Sequence, residues 1–270
     1  MGTLVCFHAH PDDESISTGG TIARASAEGH RVVLVVATNG DHGEVPDDLA
    51  PGETLVDRRK AEAARSAEVL GVHRLVWLDY KDSGMTGWEQ NADPDSFLLA
   101  DLDEAAERLA HILREESADV VTTYDWHGNY GHPDHIKVHQ VGHRAAELAG
   151  TAAVFEATMN RDHIVKMMSM ASEFGPDSAD DNEEPFDPAG PADDGNPMGM
   201  SEHEITHAVD VTGYIAQKRA SMRCHASQIT DTSFFLQMPD EVFSLGFGTE
   251  WFIKKGAVPG VRPGWLFDEQ

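Results

Sequence analysis

Two patterns alternate through the first part of this chain, and they fix its fold class more firmly than any single residue. Apolar, β-rich runs at Thr3–Phe7, Arg31–Ala37, Arg74–Leu78 and Asp119–Tyr124 are separated by Ala-rich helical stretches at Thr18–Glu28, Thr54–Leu70 and Phe97–Glu116. The pattern predicts a further helix from just after His132 to about Ala149, and a fifth strand at Ala152–Ala157. Gly29, Gly71 and Gly150 fall where these helices should stop, as expected of C-terminal caps. Strands separated by helices of this length read as βαβ units and a parallel sheet. The predicted class is α/β: a Rossmann-like, doubly wound, mostly parallel sheet with helices on both faces.

The composition then changes. Met167 to Gln217 contains no lysine or arginine, and Glu173–Asp194 is dense in Asp, Glu, Pro, Gly and Ser. The acidic segment 173–200 therefore reads as a solvated, mobile loop, with a lid over a site as the alternative. Beyond it, Glu204–Val211 alternates like a strand, Gly213–Cys224 reads as a helix, and Phe243–Lys254 has strand character. With no internal repeat and no second core in view, residues 1–270 read as a single domain.

Bulk properties narrow the function classes. A hydrophobic content of 40% in 270 residues is ordinary for a soluble fold with a real core. Cys6 and Cys224 cannot make a disulfide framework, and Cys6 sits in an apolar strand, which fits a reducing compartment. Without a long apolar stretch or a signal-like N-terminus, the expected setting is the cytoplasm. The net charge of -27 argues against nucleic acid and anionic membranes as partners, because both require clustered cations. It fits solubility or, alternatively, steering of cationic substrates.

The chemistry is concentrated in two places. His8-Ala9-His10-Pro11-Asp12-Asp13-Glu14 follows the first strand, and the segment Asp125–His135 follows the fourth. In open α/β sheets ligands bind outside the carboxyl ends of the strands, and such folds often set the first and fourth strands side by side at the switch point. Each cluster alone could be a capped, solvated turn; two at adjacent strand ends converge on one crevice. Imidazole and carboxylate at three positions with an open fourth describe a catalytic zinc site, which His10, Asp13 and His135 would supply. His₂Asp sets also suit ferrous iron. Pro133 fits a first helical turn. Asp12 is then a candidate general base, His132 a candidate acid or oxyanion stabiliser, and Asp134 a carboxylate that holds an imidazole tautomer. His139 and His143 share the helix face of His135 and read as packing residues. His8 reads as a residue behind the ligands, and His127, His203 and His207 as loop or surface residues; His225 reads as part of the motif His225-Ala226-Ser227-Gln228 or, alternatively, as a helix C-terminal residue.

His10-Pro11-Asp12-Asp13-Glu14 taken with Tyr130-Gly131-His132-Pro133-Asp134-His135 resembles the zinc-dependent deacetylases that include N-acetylglucosaminyl-phosphatidylinositol deacetylases and LmbE-like proteins. Tyr80-Lys81-Asp82-Ser83-Gly84-Met85, and Thr123-Tyr124-Asp125 leading into Gly128-Asn129-Tyr130, resemble the mycothiol-pathway branch. The likeness covers the first 150 residues and resumes from Lys218 through His225-Ala226-Ser227-Gln228; segment 173–200 has no counterpart. The resemblance implies His10, Asp13 and His135 as metal ligands and Asp12 as base. It implies His132 as acid or oxyanion stabiliser with Asp134 orienting it, and Tyr130 as a residue that polarises the scissile carbonyl. Arg59 and Asp82 match positions that bind sugar hydroxyls, with Arg58 an equal candidate by spacing. The implied activity is hydrolysis of an N-acetyl group from a small N-acetylglucosamine-type substrate; the oligomeric state, a homo-oligomer included, stays open. One alternative is an amidase acting on larger acylated amino-sugar conjugates. A nucleotide-binding Rossmann protein is disfavoured, because no glycine-rich turn follows the first strand and Gly19-Gly20 comes too late.

Overall fold

The computed structural model describes residues 1–174 and 187–268. Among them, β1 (Thr3–His8), β2 (Arg31–Thr38), β3 (Arg74–Tyr80), β4 (Val120–Tyr124), β5 (Ala153–Thr158), β6 (His207–Asp210), β7 (Thr249–Lys254) and β8 (Arg262–Pro263) form one sheet. Its order is β3-β2-β1-β4-β5-β7-β6-β8. The first five strands are mutually parallel, as the alternation predicts. β7 runs antiparallel to both β5 and β6. The helices are α1 (Asp13–Ser17), α2 (Gly19–Ala27), α3 (Leu55–Leu70), α4 (Leu102–Glu115), α5 (Gly128–Gly131), α6 (Pro133–Ala149), α7 (Arg161–Phe174), α8 (Ile215–Cys224), α9 (Phe234–Gln237) and α10 (Asp240–Phe247). None is long and apolar enough to cross a membrane.

Local chemistry explains the ends of these elements. Thr54 and Asp57 form a capping box at the start of α3, and Gly71 closes it in the left-handed region. α6 begins with Pro133 in its first turn, takes His132 as N-cap, and ends at Gly150. The core of β1 (Leu4, Val5, Cys6 and Phe7) is wholly buried, because helices cover both faces of a parallel sheet.

β1 pairs with β2 on one side and β4 on the other. The chain therefore leaves the sheet centre in two directions, and the carboxyl ends of β1 and β4 open a crevice between them. This is the switch point expected from the sequence.

Four boundaries differ from expectation. Thr18–Glu28 is preceded by an extra turn, α1, set off from α2 at Thr18. The helix expected at Phe97–Glu116 starts only at Leu102, capped by Asp101, because Phe97 is buried edge-on against Phe7 at 6.4 Å. Phe243–Lys254 divides into the end of α10 and β7. Of Glu204–Val211 only His207–Asp210 pairs as a strand, and His207 is buried rather than at the surface. A satellite cluster of Met222, Ile229, Leu236 and Phe243 lies apart from the main core.

The acidic segment 173–200 divides into three stretches. Its first residues end α7, residues 175–186 lie outside the described residues, and 187–200 is folded onto the rest of the chain. Asp193 N–H donates to Tyr130 O at 3.0 Å, and Gly199 N–H donates to Asn129 O at 2.5 Å.

Candidate metal centre

The turn after β1 and the loop after β4 bring three atoms into a triangle. His10 Nδ1 lies 3.3 Å from Asp13 Oδ2, Asp13 Oδ2 lies 3.3 Å from His135 Nε2, and His135 Nε2 lies 3.3 Å from His10 Nδ1. A tetrahedral ion with ligands at about 2.0–2.1 Å keeps its ligand atoms roughly 3.3–3.4 Å apart, so the triangle has the dimensions of one face of such a site. The outer ring nitrogens fit as well. His10 Nε2 donates to Asp134 Oδ2 at 3.3 Å, and His135 Nδ1 donates to Gly128 O at 3.2 Å. Each imidazole thus turns its lone pair inward, the usual arrangement behind a metal-ligating histidine. His10 and His135 are both at least nine-tenths buried.

Charge points the same way. Burial disfavours a cation at His10, yet the carboxylates of Asp82, Asp13 and Asp134 hold its pKa well above the usual imidazole value. Burial would raise Asp13, but His135 and His10 hold it well below the carboxylate range. The pocket is built for positive charge.

Asp12 sits beside the triangle on a strained backbone, with φ 143° and ψ −27°. Three contacts hold it there. Its N–H donates to Glu14 Oε2 at 3.1 Å, its carbonyl accepts from Ser15 Oγ at 2.7 Å, and its Oδ2 accepts from Arg59 at 3.2 Å. Burial raises the Asp12 pKa against the pull of Arg59. Arg59 is itself buried, and its other bonds go to Gly40 O and Pro11 O, so it braces the Asp12 turn. Arg58 points to the surface and pairs with Asp48 and Glu53.

The remaining candidates ring the triangle. Tyr130 Oη lies 3.4 Å from His135 Nε2, and burial pushes its phenol pKa up. The His132 ring packs edge-on against His10 at 4.6 Å between centroids. His132 Nδ1 accepts the N–H of Asp134 at 3.1 Å, so it caps α6. Burial, aided by His10 and His135, lowers its pKa to about 2. Asp134 differs from expectation: its carboxylate accepts from Ser83 N–H, Ser83 Oγ and His10 Nε2, and so orients His10 instead of His132. Asp82 Oδ1 stands 3.6 Å from His10 Nε2 and accepts the Gly84 N–H at 2.8 Å. Despite burial, His10 holds the Asp82 carboxyl far below its usual value. His132, Asp82 and Asp134 also cluster with His10 within 4.8 Å; Asp13 makes the better third ligand because its oxygen closes the 3.3 Å triangle while His132 Nδ1 is already engaged.

Residues 5–146 match the family model described as PIG-L: GlcNAc-PI de-N-acetylase. The chain belongs to this family. A relative from Thermobispora bispora, a 1D-myo-inositol 2-acetamido-2-deoxy-alpha-D-glucopyranoside deacetylase, is 38% identical over 96% of this chain and 90% of its own length. The enzyme of that name from Acidothermus cellulolyticus is 39% identical over 93% and 88%. Among solved structures, the N,N'-diacetylchitobiose deacetylase of Pyrococcus horikoshii aligns over 94% of this chain and 83% of its own with a TM-score of 0.55 and 24% identity. The 4-carboxy-2-hydroxymuconate hydratase GalB of Pseudomonas putida shares the fold at TM-score 0.55 and 16% identity, covering 95% and 97%. A hydratase on the same scaffold shows that the fold alone does not set the reaction.

Around this centre the PIG-L protein places further residues whose partners the sequence did not show. Glu14 is wholly buried and accepts from His225 Nε2 at 2.6 Å and Ser66 Oγ at 2.5 Å, so His225 braces the Asp12 turn from α8. Burial works against charge on His225, but Glu14 raises its pKa. His8 is engaged with Tyr124 and Thr18 behind the ligands, and the Tyr124 ring stacks on His135 at 4.6 Å. Gln228 clamps the backbone of Glu44 through both its amide atoms. His127 is 1% exposed, not at the surface; its Nδ1 faces Asp194 Oδ2 at 3.5 Å. Asp193 Oδ2 accepts the Thr86 N–H, so segment 187–200 ties the loop after β3 to the loop after β4 and walls the site. Gly131 has φ 87°, and a Cβ there would strike Asp194.

Proposed function

We propose that the protein is a metal-dependent hydrolase that removes the acetyl group from an N-acetylglucosamine-type amino sugar carried on a small molecule. The observation that supports this most directly is the 3.3 Å triangle of His10, Asp13 and His135 with the Asp12 carboxylate beside it. Those three residues would hold the ion, zinc first and ferrous iron as the alternative. When bound, a divalent cation supplies Lewis acidity, making a water acidic near neutral pH and polarising an amide carbonyl.

The chain's own residues supply the rest. Arg59 occupies Asp12 Oδ2, which leaves Oδ1 to take the proton of the attacking water. The upward shift from burial makes Asp12 a stronger base than an exposed aspartate. Tyr130 keeps its phenolic proton and donates to the oxygen on which negative charge develops. His132 accepts at Nδ1, so its neutral ring carries the proton on Nε2 and serves as a second donor rather than as the acid. Asp12 then returns its proton to the departing amine, which leaves acetate and a free amino sugar. Asp82 keeps one oxygen free of Gly84 and is assigned to a sugar hydroxyl; Arg59 is assigned to Asp12.

The names of the curated relatives support an inositol-linked substrate over the larger amidase substrates. The test is acetate release from N-acetylglucosaminyl-inositol, diacetylchitobiose, free N-acetylglucosamine and an acylated thiol conjugate. Fastest turnover of the inositol conjugate is expected. Turnover of the thiol conjugate alone sinks the deacetylase reading in favour of the amidase. Full activity in metal-loaded Asp12→Ala sinks the base assignment.

A further inference from the structure

α6 carries a second pair of histidines that the proposed reaction leaves unused. His139 and His143 stand four residues apart, hence on one helix face, with ring centroids 4.5 Å apart. Glu156, from the middle of β5, meets them there. Its Oε1 lies 2.7 Å from His143 Nε2. One ligand atom from each of the three residues falls within a 4.8 Å group. We propose that His139, His143 and Glu156 form a second site for a divalent transition metal of the zinc class, separate from the centre at the β1 and β4 ends.

Four observations carry this. Two imidazoles at helical i, i+4 spacing with a carboxylate from another element make a His₂Glu donor set, which suits zinc and its neighbours and leaves a position for water. His139 Nδ1 donates to Tyr124 O at 3.0 Å, so its tautomer is fixed by the backbone and its lone pair is on Nε2. Burial lowers the His139 pKa, which keeps that ring neutral and able to bind metal without first losing a proton. The three side chains retain 22%, 17% and 15% exposure, enough for an ion to enter and for water to complete its shell.

The geometry also ranks the two sites. The first centre has its atoms already 3.3 Å apart and is nearly closed to solvent. The second is wider and more open, and His143 must give up a hydrogen bond to Glu156 in order to bind. It is the weaker site and fills second.

Equilibrium dialysis of the metal-stripped full chain against zinc chloride decides the matter. The wild type is expected to take up about two equivalents, one tight and one weaker. Glu156→Gln and His143→Ala should each lose the weaker one and keep deacetylase activity. His111→Ala, a control at an exposed histidine elsewhere, should lose neither. Thermal midpoints provide a second readout: added zinc beyond the first equivalent should raise that of the wild type and leave that of Glu156→Gln unmoved. An equal zinc count in the wild type and in folded Glu156→Gln overturns the proposal. The first centre is tested separately with His135→Ala. If only that variant lowers the count, the second site is absent; if only Glu156→Gln lowers it, the second site stands and the first assignment fails.

Discussion

The parallel part of the sheet and the antiparallel part after it divide the work. The segments that follow β1, β3 and β4 supply every group proposed to touch substrate or the metal at the reaction centre: His10, Asp12, Asp13, Asp82, Tyr130, His132 and His135. The chain beyond β5 supplies groups that hold those loops. His225 pairs with Glu14, Gln228 grips Glu44, Asp193 and Asp194 abut the loops after β3 and β4, and buried Lys218 pairs with Glu250 at 2.6 Å. Glu250 in turn accepts the N–H groups of Gly20 and Thr21 at the start of α2. The reacting groups need exact placement at strand ends, while their braces can come from anywhere that reaches them.

That division can be broken by substitution. The largest effect is expected from removing the metal: chelation, or His135→Ala, should abolish acetate release, and zinc should restore the chelated wild type but not the variant. Asp12→Ala comes next, with kcat down roughly 10²–10⁴-fold and metal content unchanged, read by kinetics and metal analysis together. His225→Ala should act chiefly on the fold. It strips a buried partner from Glu14, at a cost of about 3 kcal/mol in urea unfolding, with a smaller loss in kcat than Asp12→Ala. The smallest effect is expected from Asp194→Ala, a change in KM of about fivefold or less with kcat and stability near wild type. If Asp194→Ala depressed kcat as far as Asp12→Ala, the wall would be part of the chemistry and the division would fail.

The two parts also differ in how far the sequence revealed them. Strands β1 to β5 announced themselves because burial on both faces demands unbroken apolar runs, and His10, Asp13 and His135 stood out as candidate ligands because few residue types bind metal. Brace residues carry no such mark. Arg59 looks like any helix cation until α3 is docked and turns it onto Asp12. Asp134 adjoins His132 in sequence, yet its carboxylate reaches across to Ser83 and His10, which only the β3 loop could reveal. Segment 187–200 has the composition of a solvated loop; what orders it is bonding to the backbone of Asn129 and Tyr130, which composition does not encode. His127 read as a loop or surface residue and does lie in a turn; its burial went unseen because nothing in the sequence places Gly199 and Asp194 over it.

The positive φ of Asp12 bears on how this enzyme can evolve. A side chain held in such a conformation costs on the order of 1–3 kcal/mol, and glycine would relieve most of it. Asp12→Gly should therefore unfold at higher urea than Asp12→Ala, though both lack the carboxylate. Selection for robustness alone would drift this position toward glycine. Under the proposed base role, the aspartate here gives up stability of the fold for turnover.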